Sequence, residues 1–358
     1  ASGHVFGAAL IFLVAYWSVS PEQAVQRSLA LIILACPCAM AFGTPLAFAV
    51  SLRRAQRAGI IVRDANIFEK VRDIKTVFFD KTGTLTDTEL SFMGNPKDVP
   101  GVYQKIVLSL ENESLHPIAF AFRKTFQTNH TLPPADGWKE IPGVGVSGFV
   151  YGRFYELKRD KADEGETGCT LFEDEKPLMT FRFQARLKPD CHATLQGLRE
   201  RGYDLKLLSG DQSSSVVCMG RLLGFKETEI HYGLSPAQKA EIIATTPRSM
   251  MIGDGVNDSL ALMKADVGLA VSGGVAAALQ SADAYLTDPG LRGVISLMDT
   301  SRFAFATIQQ NLFISVVYNS VGGTLALLGY VNPFVAALLM PVSSGFILLS
   351  TWLRGRQT

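Results

Sequence analysis

The sequence predicts an α/β plus membrane α-helical protein, with a parallel-sheet region set between apolar helices. Three features carry that expectation. Charged residues crowd between Arg53 and Arg302, while both ends are long apolar stretches. Four short apolar runs in the middle end abruptly in acidic or glycine-rich turns. Amphipathic segments such as Ala193 to Arg201 and Ser213 to Leu223 lie between them. At 358 residues the chain exceeds one ordinary domain of roughly 150 residues. A net charge of +1 without a basic stripe argues against a nucleic-acid partner.

The ends come first. Gly7 to Tyr16, extendable to Val19, and Leu29 to Val50 are apolar runs separated by the polar Ser20 to Arg27, which predicts a helical hairpin. Ala304 to Leu328 and Val331 to Trp352 predict a second hairpin, turning at Gly329-Tyr330-Val331-Asn332-Pro333. Each of these later runs approaches the ~20 residues that span a bilayer core. Four spans and contact with membrane lipid are therefore expected. Arg53, Arg54, Arg57, Arg302, Arg354 and Arg356 flank them on one side, so the Lys/Arg bias places the large middle in the cytoplasm. The first run has no basic start or small-residue cleavage pattern and does not read as a signal peptide. Five cysteines, two of them in a span, fit reduced thiols better than a disulfide framework.

In the middle, Thr76–Phe79, Leu205–Leu208, Met250–Ile252 and Val267–Leu269 read as parallel strands of a doubly wound sheet. Ligands of such sheets sit beyond the carboxyl ends of the strands, where Asp80, Asp211 and Asp254 fall. Asp80-Lys81-Thr82-Gly83-Thr84-Leu85-Thr86 places a carboxylate at a strand end, able to attack a γ-phosphoryl group and hold it. Its hydroxyls and amides cradle the oxygens. Phosphoryl transfer also needs a divalent cation and a lysine. Gly253-Asp254-Gly255-Val256-Asn257-Asp258 offers the Mg²⁺ carboxylate, and Pro236-Ala237-Gln238-Lys239 the lysine.

Asp80 to Thr86, Ser209-Gly210-Asp211, Lys239 and Gly253 to Asp258, in this order, resemble P-type ATPases. That resemblance implies a haloacid-dehalogenase-like phosphorylation domain with an inserted α+β nucleotide-binding domain. It assigns Asp80, Lys81, Thr82, Thr84, Ser209, Gly210, Asp211, Lys239, Asn257 and Asp258 to catalysis, and Asp80, Thr82 and Asp254 to Mg²⁺, with ATP as phosphoryl donor. The segment Ser91 to Arg186 differs in character, with two short β-like runs, and reads as the insertion. Within it, Glu111-Asn112-Glu113-Ser114-Leu115-His116-Pro117 and Gly143-Val144-Gly145-Val146 resemble the nucleotide signatures of the heavy-metal branch. Glu111, His116, Gly143 and Gly145 would then contact the nucleotide. Leu115 departs from the Glu usual in that branch.

Cys36-Pro37-Cys38 lies in the second apolar run. In a regular helix positions i and i+2 point roughly 200° apart, but a proline loosens the helix and lets both sulfurs face one cavity. Thiolates favour Cu(I) or Zn(II) over hard ions. The motif resembles the transmembrane metal site of heavy-metal pumps. Tyr318, Asn319, Met340, Ser343 and Ser344 match the pattern of Cu(I) pumps. No charged residue lies between Ala304 and Trp352 to compensate a divalent ion.

The expected organisation is 1–52, two spans with Cys-Pro-Cys; 53–90, first part of the phosphorylation domain; 91–186, nucleotide domain; 187–300, second part; and 301–358, two spans. The expected function is ATP-driven Cu(I) transport out of the cytoplasm through an aspartyl phosphate, in a bacterial inner membrane, with Cu(I) delivered by a cytoplasmic carrier. Leu208 to Asp211 and Met340 to Ser344 resemble pumps that supply cytochrome oxidase. The alternatives are transport of Zn(II) or another divalent ion, and a non-pumping, nucleotide-responsive metal-binding protein. The family's actuator loop, Thr-Gly-Glu-Ser, and further amino-terminal spans do not occur in this sequence; the expectation is that they act in cis or in trans.

Overall fold

A computed structural model describes residues 2–34, 38–126, 132–141, 144–160, 167–211, 213–255, 257–271 and 280–356. The chain divides into two compact units, one of residues 1–73 with 293–358 and one of residues 74–292.

The second unit is built on a parallel sheet whose strands run in the order Ala284–Leu286, Val267–Ala270, Ser249–Gly253, Thr76–Asp80, Asp204–Leu208 and Ile230–His231. All four strands expected from the sequence are present. The central strand Thr76–Asp80 is buried at every position, as a strand covered on both faces requires, and so it reads as an uninterrupted apolar run. Phe78, Leu208, Met251, Leu262 and Ala270 share one core. Asp80 lies opposite Leu208 in register, so both loops leave the sheet at its carboxyl edge.

A second sheet is antiparallel, ordered Thr86–Phe92, Lys176–Leu187, Thr167–Glu173, Arg153–Asp160, Gly145–Val150 and Asp136–Ile141. The helices Gly101–Leu110 and Pro117–Thr125 complete its core, in which Phe122, Phe181 and Phe183 are fully buried. This insertion is more regular than the two β-like runs expected, with six strands. Its alternating polar faces conceal them from a search for apolar runs.

The first unit is helical: Ser2–Tyr16, Pro21–Leu34, Cys38–Arg57, Ile67–Asp73, the 36-residue Arg292–Leu327 and Pro333–Arg356. One expectation needs correction: the polar stretch Ser20 to Arg27 is helical from Pro21 onward, because a proline is tolerated in a first turn where its missing N–H is not needed. Within the run Leu29 to Val50, residues 29–34 and 38–50 are helical, and residues 35–37 lie outside the described residues. The turn before Pro333 is as expected, with Gly329 at φ +87. Ala30, Leu34, Ala326, Val331 and Ala336 pack together, and Asn311 Nδ2 donates to Thr351 Oγ1 at 2.9 Å, in a buried pair. Elsewhere Val14, Phe313, Phe334 and Val342 are each about two-thirds or more exposed. Among the described residues one helix, Pro333–Arg356, is long and apolar enough to cross a membrane.

Candidate active site

Asp80 ends the central strand and is buried. The tight turn Lys81–Leu85 that follows depends on Gly83 at φ +77, a conformation that costs a side-chain-bearing residue. The turn folds back so that Thr82 N donates to Asp80 Oδ2 at 2.9 Å. Lys239 reaches the same carboxylate from the helix Pro236–Ala244. Ser235 caps that helix, with Gln238 returning the bond to the Ser235 N–H. Lys239 Nζ donates to Asp80 Oδ1 at 2.5 Å and to Asp258 Oδ1 at 2.9 Å. Asp258 Oδ2 in turn accepts from Asp254 N at 3.2 Å, and Asn257 Nδ2 donates to Asp254 Oδ2 at 2.9 Å. Ser209 Oγ accepts from Asp211 N at 3.1 Å, and Asp211 pairs with Lys81. Three strand ends and one helix thus gather the residues the sequence singled out.

The electrostatics follow from burial. Asp80 is raised to about 6, first by desolvation and then by the neighbouring Asp258, against the pull of Lys239. Lys239 is itself raised: burial works against its charge, but Asp80 and Asp258 outweigh it. One ammonium between two buried carboxylates leaves the cluster short of positive charge. Thr84 Oγ1 is buried with no hydrogen-bond partner among the described residues. A phosphoryl group with Mg²⁺ fits both features. No cluster of three or more His, Cys, Asp or Glu side chains is gathered for a metal among the described residues. Mg²⁺ commonly uses one or two carboxylates, phosphate and water, and Asp80 with Asp254 suffices for that.

Sequence reading missed Lys188, which is buried just after the strand Lys176–Leu187. Its N donates to Leu85 O at 3.0 Å, and burial lowers its pKa, with Asp87 and Asp190 opposing. Asp190 was missed too; its Oδ2 accepts from Leu291 N at 2.7 Å and Arg292 N at 2.8 Å. The signal available was the run Lys188-Pro189-Asp190 directly after an apolar-alternating strand.

In the insertion, Glu111 is buried and raised to about 7 by desolvation, and its Oε2 has no partner among the described residues. Arg123 ties the loop by donating to Glu111 O at 2.6 Å and Ser114 O at 3.1 Å. His116 caps the helix Pro117–Thr125: its Nδ1 accepts from Ile118 N at 3.2 Å, which leaves the proton on Nε2. Burial and Arg159 lower its pKa. At Gly145 a Cβ would lie 2.0 Å from Leu157 O, so a glycine is needed there for strand pairing alone. Gly143 lies outside the described residues.

Of the expected ion ligands, Cys36 lies outside the described residues, as does the side chain of Cys38. Tyr318, Asn319, Met340 and Ser343 line one cavity of about 340 Å³, together with Leu34, the last residue of its helix. The Tyr318 hydroxyl is buried without a partner among the described residues. Ser344 is not among the lining residues; its Oγ donates to Met340 O at 3.2 Å.

The family model for haloacid dehalogenase-like hydrolases matches residues 74–266, more than half of the chain. The chain belongs to this family. Its curated relatives include copper-transporting P-type ATPases. It is 28% identical over 99% of its length to a probable copper-importing P-type ATPase A of Enterococcus hirae, covering 52% of that protein. It is 29% identical over 91% of its length to copper-exporting P-type ATPase B of Archaeoglobus fulgidus, covering 51%. It is 30% identical over 90% of its length to the nitrogen fixation protein FixI of Rhizobium meliloti, covering 44%. The chain thus spans about half the length of the curated relatives it matches. Among solved structures, a zinc-transporting PIB-type ATPase in an E2.Pi state superposes over 99% of this chain and 62% of that one, with TM-score 0.85 and 24% identity, a likeness of fold. The catalytic domain of the CPx-ATPase CopB-B matches 69% of this chain and 98% of that domain at 29% identity, with TM-score 0.57.

Proposed function

We propose that this chain is the catalytic and ion-path part of a P-type ATPase that moves Cu(I) out of the cytoplasm through an aspartyl phosphate on Asp80. The observation that carries this is the Asp80 carboxylate, buried at a strand end and held by Lys239 together with Asp258. The Asp80 oxygen attacks the γ-phosphorus of ATP; the bond to the bridging oxygen breaks, ADP leaves and an acyl phosphate remains. Water later cleaves it to phosphate and the free carboxylate. Lys239 neutralises charge on the phosphoryl oxygens during transfer, and the Thr82 and Thr84 region cradles them. Mg²⁺, held by Asp80 and Asp254 with Thr82, supplies the remaining positive charge when bound. Glu111 and His116 Nε2 hold the adenine edge, and Gly143 and Gly145 lie beside it.

Cu(I) is the cargo. Cys36 and Cys38 supply soft thiolates, with Met340 a neutral thioether suited to a monovalent ion, and Tyr318, Asn319, Ser343 and Ser344 complete the path. The four apolar runs span a bacterial inner membrane with the catalytic unit cytoplasmic, and a cytoplasmic carrier delivers the ion. Outward direction accords with the name of the Archaeoglobus relative; that of the Enterococcus relative is an importer.

The test is acid-stable, hydroxylamine-sensitive labelling of the chain from γ-labelled ATP with Mg²⁺. Label absent from Asp80→Asn, and stimulated by Cu(I) but not Zn(II) in a manner lost with Cys36→Ser, is expected. Zn(II) stimulation would reassign the cargo. ATP binding with no label under any metal would indicate a nucleotide-responsive switch.

A further inference from the structure

Apart from the ion cavity, the helical unit holds a second cavity of different chemistry. About 260 Å³ in volume, it lies among the ends of three helices and is lined by Arg53, Arg54 and Arg57 from Cys38–Arg57, by Ser296, Asp299 and Thr300 from Arg292–Leu327, and by Gly355 near the end of Pro333–Arg356. Three guanidinium groups face one carboxylate, an excess of positive charge that the proposed ion path and phosphorylation chemistry do not use. Arg53 and Arg57 are exposed. Arg54 packs its guanidinium over the Phe303 ring at 5.1 Å, a stacking that engages the face of the guanidinium. Thr300 is 1% exposed, and its Oγ1 has no hydrogen-bond partner among the described residues. A buried orphan hydroxyl beside clustered guanidiniums is the chemistry of a phosphate site, since arginine forks match phosphate oxygens two at a time.

Position identifies the source of the phosphate. The one helix among the described residues that is apolar and long enough to cross a membrane ends at this cavity, and near its end Arg356 stacks over Trp352 at 4.3 Å, an aromatic beside a basic residue of the kind enriched at membrane interfaces. Basic pockets between spanning helices on the cytoplasmic side bind anionic lipid headgroups. We propose that this cavity binds the phosphodiester of an anionic phospholipid, with Arg53 and Arg57 as its main charge partners and Thr300 as a hydrogen-bond donor. The proposal rests on the membrane reading given above.

The chain is purified in neutral detergent and incorporated into vesicles of two kinds: phosphatidylcholine alone, washed with alkaline carbonate to test membrane retention, and equal phosphatidylglycerol and phosphatidylcholine, from which native mass spectrometry compares the two lipids retained on the chain. Retention of the chain with preference for phosphatidylglycerol is expected. With about fivefold from each arginine that pairs with the bound phosphodiester, Arg53→Gln with Arg57→Gln should lower that preference about 25-fold. Arg53→Lys with Arg57→Lys should keep most of it, which separates lost charge from lost folding. Arg354→Gln with Arg356→Gln, outside the lining residues, should leave it unchanged. An equal loss in that control, or no preference in the wild type, would overturn the pocket. Displacement of phosphatidylglycerol by millimolar inorganic phosphate would show a soluble-anion site and overturn the lipid assignment. Chain that washes off neutral vesicles would overturn the membrane reading itself and the lipid site with it, whereas chain that stays bound without preference overturns only the lipid site.

Discussion

Lys239 divides one ammonium between Asp80 and Asp258, at 2.5 and 2.9 Å. Removing it leaves two buried carboxylates facing each other, so Lys239→Ala should lower stability by roughly 3–5 kcal/mol and phosphoenzyme formation by about 10²-fold or more, read by denaturant titration and by single-turnover labelling. Attack on phosphorus needs the Asp80 anion. In the metal-free protein burial and Asp258 raise its pKa to about 6, so infrared titration of the carboxyl band without Mg²⁺ should show Asp80 protonating as pH drops through about 6, a band lost in Asp80→Asn, and Mg²⁺ should move that midpoint down. A midpoint that Mg²⁺ leaves in place would show that Asp80 does not hold the ion. Glu111 carries the opposite kind of consequence. Its folded pKa of about 7 stands above the ordinary 4.5, so the folded state binds the proton more tightly than the unfolded one. Its contribution to stability is full below about 4.5 and is lost as pH rises through about 7, a change of about 3 kcal/mol over that window. Glu111→Gln should abolish that loss, so that the variant gains on the wild type at pH 8 but not at pH 4.5. Equal pH dependence in both would place the effect on another group.

The helix that delivers Lys239 owes its start to Ser235, whose Oγ accepts from Gln238 N at 3.3 Å while Gln238 Oε1 accepts from Ser235 N at 2.9 Å. Ser235→Ala should cost about 1 kcal/mol and slow phosphorylation less than Lys239→Ala does, because the lysine is displaced rather than removed. The central strands, unlike this helix, were legible in the sequence for definite reasons. A central parallel strand is buried on both faces, so Thr76–Asp80 and Ser249–Gly253 announce themselves as apolar runs ending in acid. The flanking strands Ile230–His231 and Ala284–Leu286 have only two and three residues, too few for any period to show. In the insertion, Asp136–Ile141 is nearly all exposed and reads as polar, and Lys176–Leu187 alternates in and out. The site motifs were legible because chemistry there restricts residue type over several consecutive positions. Lys188 was not, because an isolated lysine beside a proline reads as surface; only tertiary burial makes it part of the active-site surroundings.

At the scale of the whole molecule, two units carry separate cores. Residues 74–292 contain both sheets, and the apolar clusters around Phe78 and Phe122 close entirely within that range. The helical unit instead leaves large apolar side chains such as Phe313 and Val342 facing outward, which suits hydrocarbon and not water. The catalytic unit should therefore fold alone. The fragment 74–292, expressed without the helices, should be monomeric and unfold in a cooperative transition, and Mg-ATP should stabilise it, since the residues that would hold nucleotide and phosphoryl all lie inside it. At a hundred times its Kd a ligand adds about 2.7 kcal/mol, which for a domain of this size corresponds to a rise in Tm of about 5–10 °C. Asp80→Asn in the same fragment should keep most of that shift, because the proposed adenine contacts are made by other residues, whereas His116→Ala should reduce it. Calorimetry of the three proteins decides the matter. A fragment that aggregates shows that the two units depend on each other for folding. A folded fragment whose Tm ignores ATP shows that Glu111 and His116 do not hold the nucleotide.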